Sequence, residues 1–187
     1  MKQLSKYLAE KLIINKDYQE AKIVVKSFVE LKKIIDDRYV KLGVGTEQDP
    51  IDFNDIDVSN IDSFFDNKGI FEGTKFKYID ISDWDVSEVT DMNRMFYMCK
   101  ALKSVGNISG WDVFSVTDMS YMFYGCTYFN QNISSWDVSN VIGVSYMFGW
   151  CESFNQDLSN WNVSKVRYHG GAFTGCSIKM KYQPKFK

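Results

Sequence analysis

The sequence has no apolar run near the roughly 18 residues that a membrane-spanning helix requires, and no clear excess of either charge. Its net charge is −2 over 187 residues, which gives no general reason to expect nucleic acid or an anionic membrane surface as a partner. The opening MKQLSKYLAEKLIINKDY is broken by charges every three or four residues, so it has no apolar core for a secretory signal and no nearby cysteine to accept a lipid. Export by the usual route is therefore not expected. None of the four cysteines forms a C-x-x-C pair, which disfavours a zinc or redox motif. The single histidine, His169, has no nucleophile or acid repeated beside it. Catalytic, cofactor-binding and metal-binding residues are each read as none.

What the chain does have is a repeated phrase. DISDWDVSEV, NISGWDVFSV, NISSWDVSNV and DLSNWNVSKV follow one another, with tryptophans at Trp84, Trp111, Trp136 and Trp161 spaced by 27, 25 and 25 residues. Cys99, Cys126, Cys151 and Cys176 keep those steps, as do Phe96, Phe123, Phe148 and Phe173. Three residue types locked to one period make an internal repeat the first fact to explain. A degenerate earlier copy reads NDIDVSNI, with Ile56 in the tryptophan position and Thr74 in the cysteine position.

Within one unit, Phe129, Gln131 and Ile133 alternate with polar residues, the pattern of a short strand buried on one side. Val144, Met147, Phe148 and Cys151 stand at i, i+3, i+4 and i+7, which predicts about two turns of helix. The expected fold is an α+β repeat solenoid, a leucine-rich-repeat-like stack of about five 25-residue coils, each a short strand, a turn and a short helix. An N-terminal helical cap is expected from Phe28, Leu31, Ile35 and Tyr39 on one face, with Gly43 as its stop. The division that follows is a leader segment over 1–22 containing an amphipathic helix near residues 4–14, a capping helix over 23–45, a solenoid over 46–176 and a basic tail over 177–187. Two roles stay open for the leader: it folds back onto the cap, or it is an address laid on a partner.

The phrase FNQNISSWDVSNV with SYMFGWC, and FNQDLSNWNVSKV after it, resembles the BspA-like leucine-rich repeats of bacterial surface lipoproteins, of the Mycoplasma-lipoprotein type. The opening MKQLSKYLAEKLIINKD resembles leaders of proteins encoded by crAss-like gut phages. The resemblance implies a repeat scaffold used for adhesion or protein binding, with no catalytic residue to transfer.

Each recurrent polar or aromatic position has a plain reading beside a functional one. Asp85, Asp112, Asp137 and Asn162 suit turns closed by their own side chains better than a calcium site. The tryptophans are expected in the core rather than as sugar platforms, because each keeps phase with a buried valine. The cysteines are expected as buried, reduced thiols. Asn107, Asn132 and Asn162 match a glycosylation sequon, which the repeat itself explains. The function expected is a non-enzymatic scaffold binding a protein partner, virion-associated or in the bacterial cytoplasm, with no nucleic acid and no membrane insertion. The alternative is a carbohydrate-binding adhesin using outward aromatics such as Tyr97 and Tyr124. The expected partner face is the flat polar set Asn130, Asn132, Ser134, Asn155, Asp157 and Ser159. An acidic stretch over 47–91, with thirteen acids against three lysines, and six bases with no acid from Lys165 onward predict weak head-to-tail self-association.

Overall fold

The computed structural model describes residues 22–187; the helix expected near residues 4–14 lies outside them. The one α-helix of the described residues, α1, runs Phe28–Leu42. Ser27 sits before it in extended conformation and its hydroxyl accepts the Glu30 N–H, which satisfies one of the orphan donors at the helix start, while the Glu30 carboxylate accepts from the Lys26 N–H just outside the helix at 3.0 Å. At the other end Gly43 takes φ 81° and donates its N–H to the Tyr39 carbonyl, a conformation that costs a glycine little. Leu31, Ile34 and Ile35 face the core, and Arg38 grips both carboxylate oxygens of Asp55 at 2.7 and 2.6 Å.

Strands are two residues long and few. β1 (Ile23–Val24) pairs in parallel with β3 (Ile56–Asp57), and β2 (Ile51–Asp52) in parallel with β6 (Ile79–Asp80). β4 (Phe65–Asp66) and β5 (Lys68–Gly69) make a tight antiparallel pair, and a 3₁₀ turn closes Met180–Tyr182. No helix among the described residues is long and apolar enough to cross a membrane.

This corrects the expected α+β, leucine-rich-repeat-like solenoid. Among the described residues the predicted strand survives only as the two-residue β2 and β6 of the first two units, no unit contains the predicted helix, no sheet closes, and the regular structure amounts to one α-helix, three small strand pairs and a 3₁₀ turn. Beyond Asp80 the repeats are turns and bends joined by isolated parallel bridges at Asp91, Asp118, Gly143 and Tyr168.

The physical reason lies in the backbone of the segment read as a helix. Arg94, Tyr121 and Tyr146 take φ of 54°, 59° and 53°, and Gly171 takes 68°; four residues further on, Met98, Gly125, Trp150 and Gly175 take 58° to 72°. A left-handed residue every fourth position cannot continue a right-handed helix. A run of overlapping four-residue turns forms instead. Met95 N donates to Met92 O, Tyr97 N to Arg94 O and Cys99 N to Phe96 O, all within the segment. The intervening N–H groups of Met92, Arg94, Phe96 and Met98 donate to carbonyls of residues 118, 120, 122 and 124 in the next unit. Inward positions in such a run of turns also fall at i, i+3, i+4 and i+7, so the apolar spacing could not tell the two structures apart.

The core is one continuous cluster running from Val25 to Ile178. Phe71, Phe96, Phe123, Phe148 and Phe173 lie ring over ring at 5.3 to 5.7 Å, within 12° of parallel. The four repeat tryptophans are 3 to 7% exposed, as their phase with the valines predicts. Trp84 and Trp136 donate Nε1 to the carbonyls of Phe53 and Ile108 at 2.9 and 2.8 Å, whereas Trp111 and Trp161 are buried without a partner for theirs.

Candidate binding surface

Each unit carries short polar turns in which a side chain accepts the N–H two residues on. Asp85 accepts from Ser87, Asp112 from Phe114, Asp137 from Ser139 and Asn162 from Ser164, at 3.0 to 3.2 Å. Ser139, through its hydroxyl and its backbone N–H, holds the Asp137 carboxyl below the usual carboxylate range. Asp91 goes the other way: partial burial raises it, against the Asn93 N–H, with the charge of Asp118 adding to the rise. Among the described residues no three His, Cys, Asp or Glu side chains converge where a metal ion could sit.

The predicted partner face uses its polar atoms on itself. Asn130 Oδ1 accepts the Asn155 N–H at 3.0 Å and Gln156 Nε2 at 2.9 Å, and Asn155 Oδ1 accepts the Lys179 N–H at 3.0 Å. Asn132 and Asp157 close turns onto the N–H groups of Ser134 and Ser159. All six residues reach solvent, Asn155 less than the rest. The bonds of Asn130 and Asn155 join one unit to the next, whereas those of Asn132 and Asp157 stay within a turn.

The cysteines are all unpaired, with Cys99, Cys126 and Cys151 buried and Cys176 half-buried. Each of the first three points Sγ at a phenylalanine carbonyl in the preceding unit, of Phe71, Phe96 and Phe123, at 2.9 to 3.0 Å. Burial pushes the Cys99 thiol up to about 11, and raises Cys126 and Cys151 well above the ordinary thiol range too. These are inert groups that fill the core, far from thiolate chemistry.

A second surface was only half visible in the sequence. On the turn segments the third and sixth residues point outward, and there the chain writes Arg94, Tyr97, Tyr121, Tyr124 and Tyr146, with Trp150 next to them. Tyr97 lies face to face with Tyr124 at 5.2 Å and Tyr121 with Tyr146 at 5.3 Å, and the two pairs meet edge to face at 6.1 and 6.2 Å. The Arg94 guanidinium sits 5.2 and 5.4 Å from the rings of Tyr97 and Tyr121. Glycines in the next unit leave room for the rings: a Cβ on Gly149 would come within 2.7 Å of Tyr124, and one on Gly171 within 2.3 Å of Tyr146.

Grooves border this face on two sides. Thr117, Asp118, Tyr121, Ile142 and Tyr168 line one; Met98, Lys100, Tyr124, Trp150 and Glu152 line the other. Tyr146, Trp150 and Tyr168 are 38, 51 and 65% exposed. Tyr97 and Tyr124 were picked out by the sequence reading. Tyr121, Tyr146, Trp150 and Arg94 were not, although Arg94 and Tyr97, and Tyr121 and Tyr124, stand three apart and Tyr146 and Trp150 four apart, spacings that set each pair side by side on a helix as well.

Residues 59–184 match the family model described as "Mycoplasma protein of unknown function, DUF285". No curated protein and no solved structure matches the chain. The matched span covers more than half the sequence and takes in all four tryptophan phrases, their cysteines and the tyrosine face. On that extent of agreement the chain belongs to the DUF285 family of Mycoplasma proteins.

Proposed function

We propose that this chain is a non-enzymatic scaffold that binds another protein, and that the partner seats on the aromatic face centred on Tyr121. The observation that carries the reading is the outward cluster of four tyrosines, Trp150 and Arg94. Tyrosine, tryptophan and arginine dominate the energetics of protein interfaces: the two aromatics present large contact area with few rotors to immobilise, and arginine adds a planar, multiply donating cation. The rings here are already held against one another, so little order has to be imposed on binding.

The resemblance of the repeats to BspA-like surface proteins favours a binding role over a catalytic one, since repetition sets like groups beside like, whereas catalysis needs different groups converging. The resemblance of the opening residues to phage leaders favours a virion-associated or intracellular scaffold, and buried unpaired thiols suit a reducing compartment. The second reading is a carbohydrate-binding adhesin that uses the same tyrosines.

Affinity purification with the full chain as bait, compared by quantitative mass spectrometry with Tyr121→Ala/Tyr146→Ala and with Asn132→Arg/Ser159→Arg baits, separates the two faces. A protein retained by the wild type and by the arginine variant, yet lost at least tenfold on the alanine variant, is the expected result. Loss on the arginine variant alone would move the site to the polar face. A glycan array probed in parallel should be silent, and tyrosine-dependent glycan binding would replace the protein reading with the adhesin one.

A further inference from the structure

The turn segments pass their hydrogen bonds in one direction, and the last one has nowhere to pass them. Phe71, Phe96, Phe123 and Phe148 donate their N–H groups to the carbonyls of residues 95, 122, 147 and 172, and Gly73, Met98, Gly125 and Trp150 to those of residues 97, 124, 149 and 174. The corresponding N–H groups of Phe173 and Gly175, with those of His169 and Gly171, find no acceptor among the described residues. At the opposite end the carbonyls of Ile70 and Glu72, which hold the matching acceptor positions, receive no donor there.

A neighbouring column makes the same point. Thr90 N donates to Asp62 O, Thr117 N to Thr90 O, Ile142 N to Thr117 O and Arg167 N to Ile142 O. Asp62 begins this column with a free N–H, Arg167 ends it with a free carbonyl, and both side chains are exposed. The apolar ends are covered differently: α1 buries Leu31, Ile34 and Ile35 at one end, and Phe186 lies 4.6 Å from the His169 ring at the other. What is left open is backbone, and because the two columns run in opposite senses each end presents donors from one column and acceptors from the other.

We propose that a second copy of this chain docks end to end on the first, with Gly175 of one copy donating to Glu72 of the next and Asp62 of that next copy donating back to Arg167 of the first. The unpaired edge supplies the template, and charge supplies the direction. Continuing the column would bring Asp62 of one copy onto Arg167 of the other at about the 4.8 Å spacing of paired backbones. Around that pair, the acid-rich stretch over 47–91 meets the six bases that follow residue 164. A contact of this kind joins two different surfaces and does not close on itself, so the assembly grows with concentration rather than stopping at a dimer. It leaves the aromatic face free and is independent of what binds there.

Multi-angle light scattering on the full chain tests this. At about 0.01 M salt, where charges reach across about 30 Å, the weight-average mass should rise with concentration beyond one chain; at about 1 M salt, where they reach about 3 Å, it should fall back to one. Arg167→Asp and Asp62→Arg should each lower the association at least tenfold, and mixing the two variants should restore it, with the two alternating along the assembly. Tyr146→Ala should leave association unchanged. A single-chain mass at low salt at every concentration would overturn the proposal. So would association that survives both charge reversals, or that Tyr146→Ala removes. Should a reversal variant melt early, the salt series on the wild-type chain decides the question alone.

Discussion

The repeated tryptophans share one environment but not one set of bonds, and this separates their contributions. Trp136 gives its Nε1 proton to the Ile108 carbonyl, while Trp111, 6.2 Å from it and nearly parallel, keeps its own unpaired. Trp136→Phe removes one of the two bonds that the Ile108 carbonyl accepts, the other coming from the Trp111 backbone N–H; Trp111→Phe removes an unsatisfied group. The first should therefore destabilise by about 0.5 to 1.5 kcal/mol more than the second, as read from urea unfolding midpoints. The thiols make a second prediction at this scale. Burial raises the folded-state value of Cys99 to about 11 from an ordinary 9.0, and lifts those of Cys126 and Cys151 well above 9.0 too. A raised value favours the protonated form in the fold, so its stabilising effect is complete below about pH 9 and is lost as pH climbs toward the folded values. The melting temperature should fall from pH 9 upward, and Cys126→Ala should flatten part of that fall. A thiol reagent should find little to react with in the native protein and four groups after denaturation without reductant. Fewer than four would reveal a disulfide.

At the level of the element, the informative residues are those with left-handed backbone. Gly125 holds φ 72° with Met98 Sδ only 2.8 Å from where a Cβ would stand, whereas Gly110 has open space around that position and no such φ. Gly125→Ala should cost about 1 to 3 kcal/mol, and Gly110→Ala should be close to neutral, the two compared by thermal melting. Much of the local structure was legible from residue type. Asp and Asn at fixed places predict the side-chain-closed turns that form at Asp85, Asp112, Asp137 and Asn162, and alternation around Phe129 and Ile133 marks both as fully buried. The helix assignment of residues 144–151 failed because apolar spacing reports only which side chains face inward. A sharper signal was present in Gly125, Gly171 and Gly175, which recur at the two positions where φ turns positive. At Arg94, Tyr121, Tyr146, Met98 and Trp150 bulky residues take the same conformation and hide it.

Across the whole molecule the period was the most reliable guide, because it fixes which residues neighbour each other however the chain bends between them. It put the phenylalanines, tryptophans and cysteines inside. It could not show that Asn130 and Asn155 turn their side-chain oxygens to bonds between units, since those bonds depend on side-chain direction. The helix is joined to the body by Arg38, which holds Asp55 through two bonds and lies 5.1 Å above the Phe53 ring. Arg38→Met keeps the apolar stem while removing the charge, and should lower stability by about 1 to 2 kcal/mol, measured by denaturant unfolding at moderate salt. An unchanged midpoint would mean that α1 is held by its apolar face alone.

The unequal exposure of the five tryptophans has an optical consequence. Four are within 7% of complete burial and Trp150 is 51% exposed, so a neutral quencher such as acrylamide should reach one emitter and spare the rest. Quenchable fluorescence from the native protein then reports on a single indole at the rim of the aromatic face, with no label added. Shielding of that fraction by a bound partner would place the partner there, and its persistence would place the partner elsewhere.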